Sequence, residues 1–170
     1  MVWRIFHTFG IVVMMASFGS VATAADSKDG VLSAEEIAFK LMPTRGLTIS
    51  ASKPTSVGLP KVTFEFNSTQ LTPKARQQLD ELGRALNYAA LKERRFNIAG
   101  HTDNTGGADY NMRLSKLRAS AVVRYLVDNH NVDAVNLSSQ GLGETRLIEG
   151  IPGDSADNRR VEIFNLGKTQ

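Results

Sequence analysis

Gly100-His-Thr-Asp-Asn-Thr-Gly-Gly-Ala-Asp-Tyr-Asn-Met-Arg-Leu-Ser-Lys-Leu-Arg118 organises the reading of the whole chain. It is entered from residues 95–99, where Phe96 and Ile98 share one side in the alternation of a strand. It leaves through a polar, glycine-bearing turn at residues 103–108 into a long helical pattern that runs to about residue 129. Leu114, Leu117, Ala121, Val122, Tyr125 and Leu126 are the predicted core face of that helix. Near the two ends of the stretch stand an acid, Asp103, and a base, Arg118. A carboxylate accepts an ammonium, and a guanidinium fork accepts a carboxylate, so the pair is equipped to grip a zwitterion. Backbone N–H groups at the start of the helix offer a second place for negative charge. Taken alone, Asp103 suits an Asx turn or a helix cap, and Arg118 a surface or core-edge ion pair. Asn111, Ser115 and Arg118 fall at i, i+4 and i+7, on the side of the helix that faces the turn.

Working outward, residues 61–67 alternate Val62, Phe64 and Phe66 with polar neighbours, a predicted half-buried strand. Thr72 caps a following helix with Pro73 at its first position, and Ala75, Leu79, Leu82 and Leu86 form its apolar stripe. Residues 136–141 and 160–166 are two further predicted strands, the last carrying Val161, Ile163 and Phe164. The order is β-α-β-α-β-β, which predicts an α+β, two-layer sandwich with two main helices on a mixed four-stranded sheet. Ahead of it, Ser33-Ala-Glu-Glu36 fits a capping box that opens a short helix ending before Pro43. Residues 44–60 are rich in Ser, Thr, Gly and Pro and are predicted to be a flexible linker. The expected organisation is therefore 1–24 signal segment, 25–60 short helix plus linker, and 61–170 folded domain.

Four blocks in order resemble the OmpA-like peptidoglycan-binding domain family: Phe64-Glu-Phe-Asn-Ser-Thr-Gln-Leu71, the stretch at 100–119, Gly141-Leu-Gly-Glu144, and Asn158-Arg-Arg-Val-Glu162. The resemblance implies that Asp103 and Arg118 clasp the diaminopimelate of a peptidoglycan stem peptide, whose side-chain end bears both an amine and a carboxylate. It also implies contributions from Asn104 and Thr105 through their backbone amides and from the Asn111 side chain, with Asn67, Thr102 and Leu114 lining the pocket. The chain departs from the family pattern after Glu144, where Leu147 replaces a common proline, and at Asp154-Ser155, where a Gly-Arg pair is often found.

Composition is consistent with an envelope protein. The net charge is only +3 and the basic residues are scattered, which excludes a nucleic-acid stripe. Arg4, the apolar run 9–21 and the small residues at 22–24 read as a cleavable secretory signal, and without it the charge is +2. The rival reading is a retained anchor helix. There is no cysteine, so disulfides, thiolate metal sites and a cysteine-linked lipid are not expected. No second apolar span follows, and no cofactor is called for. The expected location is the periplasm, associated with the outer membrane or wall, with peptidoglycan and an envelope protein as partners. Two alternatives are an assembly module acting through residues 26–60 and a wall hydrolase using His101 and Asp103. For the second, no nucleophile is evident nearby.

Overall fold

The computed structural model describes residues 30–43, 55–59, 61–65 and 68–168. The expected signal segment lies outside these residues, as does most of the expected linker. Along the chain run α1 (Ala34–Leu41), β1 (Ser56–Leu59), α2 (Pro73–Leu86), β2 (Arg94–His101), α3 (Ala108–His130), β3 (Leu137–Gly143) and β4 (Val161–Lys168). The sheet order is β1-β4-β2-β3, with β2 parallel to β3 and antiparallel to β4, and β1 antiparallel to β4. This is the mixed four-stranded α+β sandwich that the pattern predicts, with a third helix in front.

The first strand is not where the alternation placed it. Residues 56–59, inside the stretch expected to be linker, supply the edge strand through the buried pair Val57 and Leu59. Directly after it the chain turns: Val62 N donates to Leu59 O at 3.1 Å and Thr63 N to Lys61 O at 3.0 Å. The alternation from 61 onward is nevertheless used. Val62 is buried, and Phe64 packs against the core while bridging to Leu71 in a tight antiparallel return. The loop that carries this return brings Ser68 under α3, which matters for the site.

Helix α1 carries the predicted capping box, with Ser33 and Glu36 each bonded to the other's backbone N–H. Ile37 and Leu41 are completely buried. The helix docks on α2 through Gln78, a buried side chain that accepts from Leu32 N at 2.8 Å and donates to Leu32 O at 3.0 Å. Asn165 of β4 donates to Leu41 O at 2.8 Å. One continuous core thus joins α1, α2, α3 and the sheet.

Helix α3 buries the predicted Val122 and Leu126, but along its N-terminal half it buries a different face from the one predicted. Asn111, Ser115, Ala119, Val122 and Leu126 point inward, while Leu117 is 58% exposed. The reason lies in the strands beneath. A Cβ on Gly100 would come within 2.2 Å of Ser115 O, and one on Gly141 within 2.6 Å of Met112 O and Lys116 N. Glycines in β2 and β3 therefore let the N-terminal half of α3 lie backbone-close on the sheet. Only small or short polar side chains fit that face, and the leucines turn outward.

Candidate functional site

Strand β2 lies between β4 and β3, and the turn that follows it passes directly into α3. Thr102 is buried and its N–H donates to Gly143 O at 2.9 Å, fastening the turn to the end of β3. The next residue is Asp103, also buried. Its Oδ1 accepts from Thr105 N at 3.1 Å and from Thr105 Oγ1 in a short bond. Its Oδ2 accepts from Arg159 Nη1 at 2.7 Å. Burial by itself would raise the Asp103 carboxyl, but the hydrogen bonds from Thr105 and Arg159 outweigh it and hold the group below its ordinary value.

Arg118 approaches from α3, half-buried. Its Nε donates to Ser68 O at 3.2 Å, and its guanidinium carbon stands 5.0 Å from the centre of the Phe64 ring. Burial pulls its pKa down. Tyr110 and Asp103 oppose that shift, whereas Arg159 adds to it. The group remains a cation at neutral pH. It makes no ion pair among the described residues. Arg118, Arg159 and Arg160 share a cavity of about 250 Å³ with Gly100, His101 and Asp157.

The remaining predicted residues have distinct fates. Asn111 is almost fully buried, and its Nδ2 donates to Thr105 O at 3.0 Å, Glu144 Oε2 at 2.7 Å and, weakly, Asp103 O at 3.4 Å. Those bonds tie the turn to α3 and to the end of β3. Asn104 is exposed, with its N–H on Gly153 O at 3.1 Å. Thr105 is exposed and serves Asp103. Leu114 is half-buried beside an open groove that includes Ser68, Tyr110 and Leu117. Asn67 lies outside the described residues.

Sequence reasoning missed two members. The sequence reads Arg159 and Arg160 as ion-pairing residues around the last strand, one of them in reach of a stem peptide, but does not show that the partner of Arg159 is Asp103. Glu144 closes the glycine block and holds Asn111 in place.

His101 borders the same cavity and is only 2% exposed. Glu162 Oε2 approaches its Nε2 to 3.3 Å, but off the hydrogen-bond direction, so neither ring nitrogen has a hydrogen-bond partner. Burial first and the Arg160 charge second pull its pKa down to about 4, against the opposing Glu162 carboxylate. The imidazole is neutral near pH 7 and carries no bond to Asp103. Among the described residues no cluster of His, Asp or Glu is placed to hold a metal, and no helix is long and apolar enough to cross a membrane.

The OmpA family model matches residues 63–160, more than half of the chain. The chain belongs to the OmpA family. Outer membrane protein A of Shimwellia blattae is 36% identical over a match covering 60% of this chain and 46% of that protein. The match spans between 29% and 46% of the length of such curated relatives. Among solved structures, the peptidoglycan-associated lipoprotein of Burkholderia pseudomallei superposes with a TM-score of 0.53 at 27% identity, covering 66% of this chain and 90% of that one. The cell wall anchor of the T6SS from Pseudomonas aeruginosa, 24% identical with a TM-score of 0.54 over 66% of this chain and 81% of that one, shares the fold.

Proposed function

We propose that this chain binds peptidoglycan non-covalently, by clasping the zwitterionic end of a diaminopimelate stem peptide between Asp103 and Arg118, and so anchors or organises the cell envelope. One observation carries the reading: Arg118 is a half-buried cation without an ion pair among the described residues, and it lines the same small cavity as Arg159, whose guanidinium holds the Asp103 carboxylate. In this reading the pair binds a ligand without transforming it, and the neutral His101 lies against Glu162. The relatives favour an envelope location, being an outer membrane protein and a peptidoglycan-associated lipoprotein.

In this reading the ligand carboxylate meets the Arg118 fork and the ligand ammonium meets Asp103. The Asn104 and Thr105 amides are engaged within the loop, to Gly153 O and Asp103 Oδ1, and Asn111 acts through the loop it holds. Each charge-assisted hydrogen bond contributes about 1.5–3 kcal/mol. A few of them, after ordering costs, give modest affinity for one stem peptide, and a polymer of repeated stems multiplies retention.

The test is co-sedimentation of the chain with purified diaminopimelate-type sacculi, beside an Arg118→Ala variant whose melting curve confirms that it is folded. Wild type is expected in the pellet and the variant in solution. A wild-type chain that stays in solution would overturn the reading.

A further inference from the structure

Asp103, the ammonium acceptor of the proposed clasp, is not vacant. Thr105 occupies Oδ1 and Arg159 occupies Oδ2, so an arriving ammonium meets a carboxylate whose charge is already neutralised. Arg118 is in the opposite condition, a cation lacking an ion pair among the described residues. Arg118 and Arg159 line one cavity, and Arg159 lowers the pKa of Arg118 through repulsion. A carboxylate entering between them attracts both guanidiniums. As Arg159 turns toward it, buried Asp103 loses its counter-ion and requires another cation. The Arg159 side chain is 47% exposed and follows a short 3-10 turn at Ala156–Asn158, so only side-chain torsions have to change.

We propose that Arg159 is an exchangeable counter-ion that makes the site select ligands carrying a carboxylate and an ammonium side by side; the inference rests on the function proposed above. A ligand with an ammonium alone has to displace Arg159 from Asp103 and gives the displaced guanidinium no anion, leaving it to repel Arg118. One with a carboxylate alone pairs with Arg118 but can recruit Arg159 as well only by stranding Asp103 as an unpaired buried charge. The zwitterion exchanges one ion pair for two and penalises neither side. Selectivity then arises as much from the cost imposed on the wrong ligand as from contacts to the right one. Arg159 is in this sense a specificity-determining residue.

Three synthetic tripeptides with one backbone separate these cases: L-Ala-γ-D-Glu followed by diaminopimelate (both charges at the side-chain end), by lysine (ammonium alone) or by 2-aminopimelate (carboxylate alone). Their affinities for the wild-type chain, Arg159→Gln and Arg159→Lys are measured by calorimetry. Wild type is expected to favour the diaminopimelate peptide. Arg159→Gln, with Asp103 no longer neutralised, is expected to bind the lysine peptide about tenfold more tightly than wild type does, the change that one charge-assisted hydrogen bond makes. Arg159→Lys is expected to restore most of the discrimination.

If wild type takes the diaminopimelate peptide and Arg159→Gln leaves the lysine-peptide affinity unchanged or lower, the counter-ion role is wrong while the proposed function stands. If wild type takes none of the three, both fall. Should Arg159→Gln fail to fold, the wild-type chain still decides. The side-chain Nε–H resonance of Arg159 is expected to shift on saturation with the diaminopimelate peptide, and an unmoved resonance overturns the inference.

Discussion

Replacing Asn111 by aspartate tests whether that residue touches a ligand or holds the loop. Its Nδ2 lies 2.7 Å from Glu144 Oε2 and 3.0 Å from Thr105 O, in a site that is 2% exposed. Truncation to alanine removes one hydrogen bond to a charged group and one to a neutral carbonyl, about 3 kcal/mol together. For a domain of this size that is a fall in melting temperature of roughly 12 °C, at about 4 °C per kcal/mol. Asparagine to aspartate does more, because it sets two carboxylates against each other. One of them must hold a proton, so the shared pKa in the folded state rises above the ordinary carboxylate value. A raised acid binds more protons folded than unfolded, and stability therefore falls as pH rises through that range. The Asn111→Asp protein is expected to approach the alanine variant's stability near pH 4 and to be clearly weaker at pH 7. Urea denaturation at both values, with wild type and both variants, measures this directly. An Asn111→Ala protein that melts within about 2 °C of wild type yet loses wall binding would refute the reasoning and return Asn111 to the ligand.

Three further outcomes are expected. Ile37→Ala, at a fully buried position of α1, should cost about 2–5 kcal/mol, whereas Phe39→Ala, whose side chain is 80% exposed, should stay within about 0.5 kcal/mol; denaturant midpoints compare them. Because the His101 pKa falls to about 4 on folding, the unfolded chain binds the extra proton between roughly pH 6.5 and 4, so stability is complete above that window and declines through it on acidification, by up to about 1.4 kcal/mol per pH unit. His101→Gln should flatten that slope in pH-dependent denaturation, and an unchanged slope would show that the proton goes elsewhere. Gly141→Ala drives a methyl group against the backbone of α3 and should lower the melting temperature and weaken binding to sacculi together, since the helix it displaces carries Arg118.

Helices α2 and α3 and the three C-terminal strands were legible because period and punctuation agree there: Thr72-Pro73 opens one helix, and the turn after His101 opens the other. Strand β1 was not, because a four-residue edge strand within Ser- and Pro-rich sequence is too short for its alternation to stand out, and Val62 with Phe64 offered a stronger pattern next door. The inward face of the N-terminal half of α3 was misread for a reason internal to the fold. Apolar periodicity assumes a side-chain layer between helix and sheet, and the glycines at 100 and 141 remove that layer. In the site, the acid and the base were visible as residue types, but their connection was not. That Asp103 answers to Arg159 depends on a contact across 56 positions that no local pattern encodes.

The backbone-close seating of α3 on β2 and β3 also bears on how a weak clasp can be useful. Asp103 follows directly from β2, and Arg118 is part of the helix that main-chain contact presses onto that strand. In the function proposed above, the distance between Asp103 and Arg118 is set when the protein folds, and a ligand spends none of its binding energy in bringing them together. Capture and release ask only for side-chain torsions and the movement of ions and water. Such a receptor lets go readily and is refilled readily. If the ligand is the repeated stem proposed above, rapid turnover at each stem is compatible with lasting residence on the polymer as a whole.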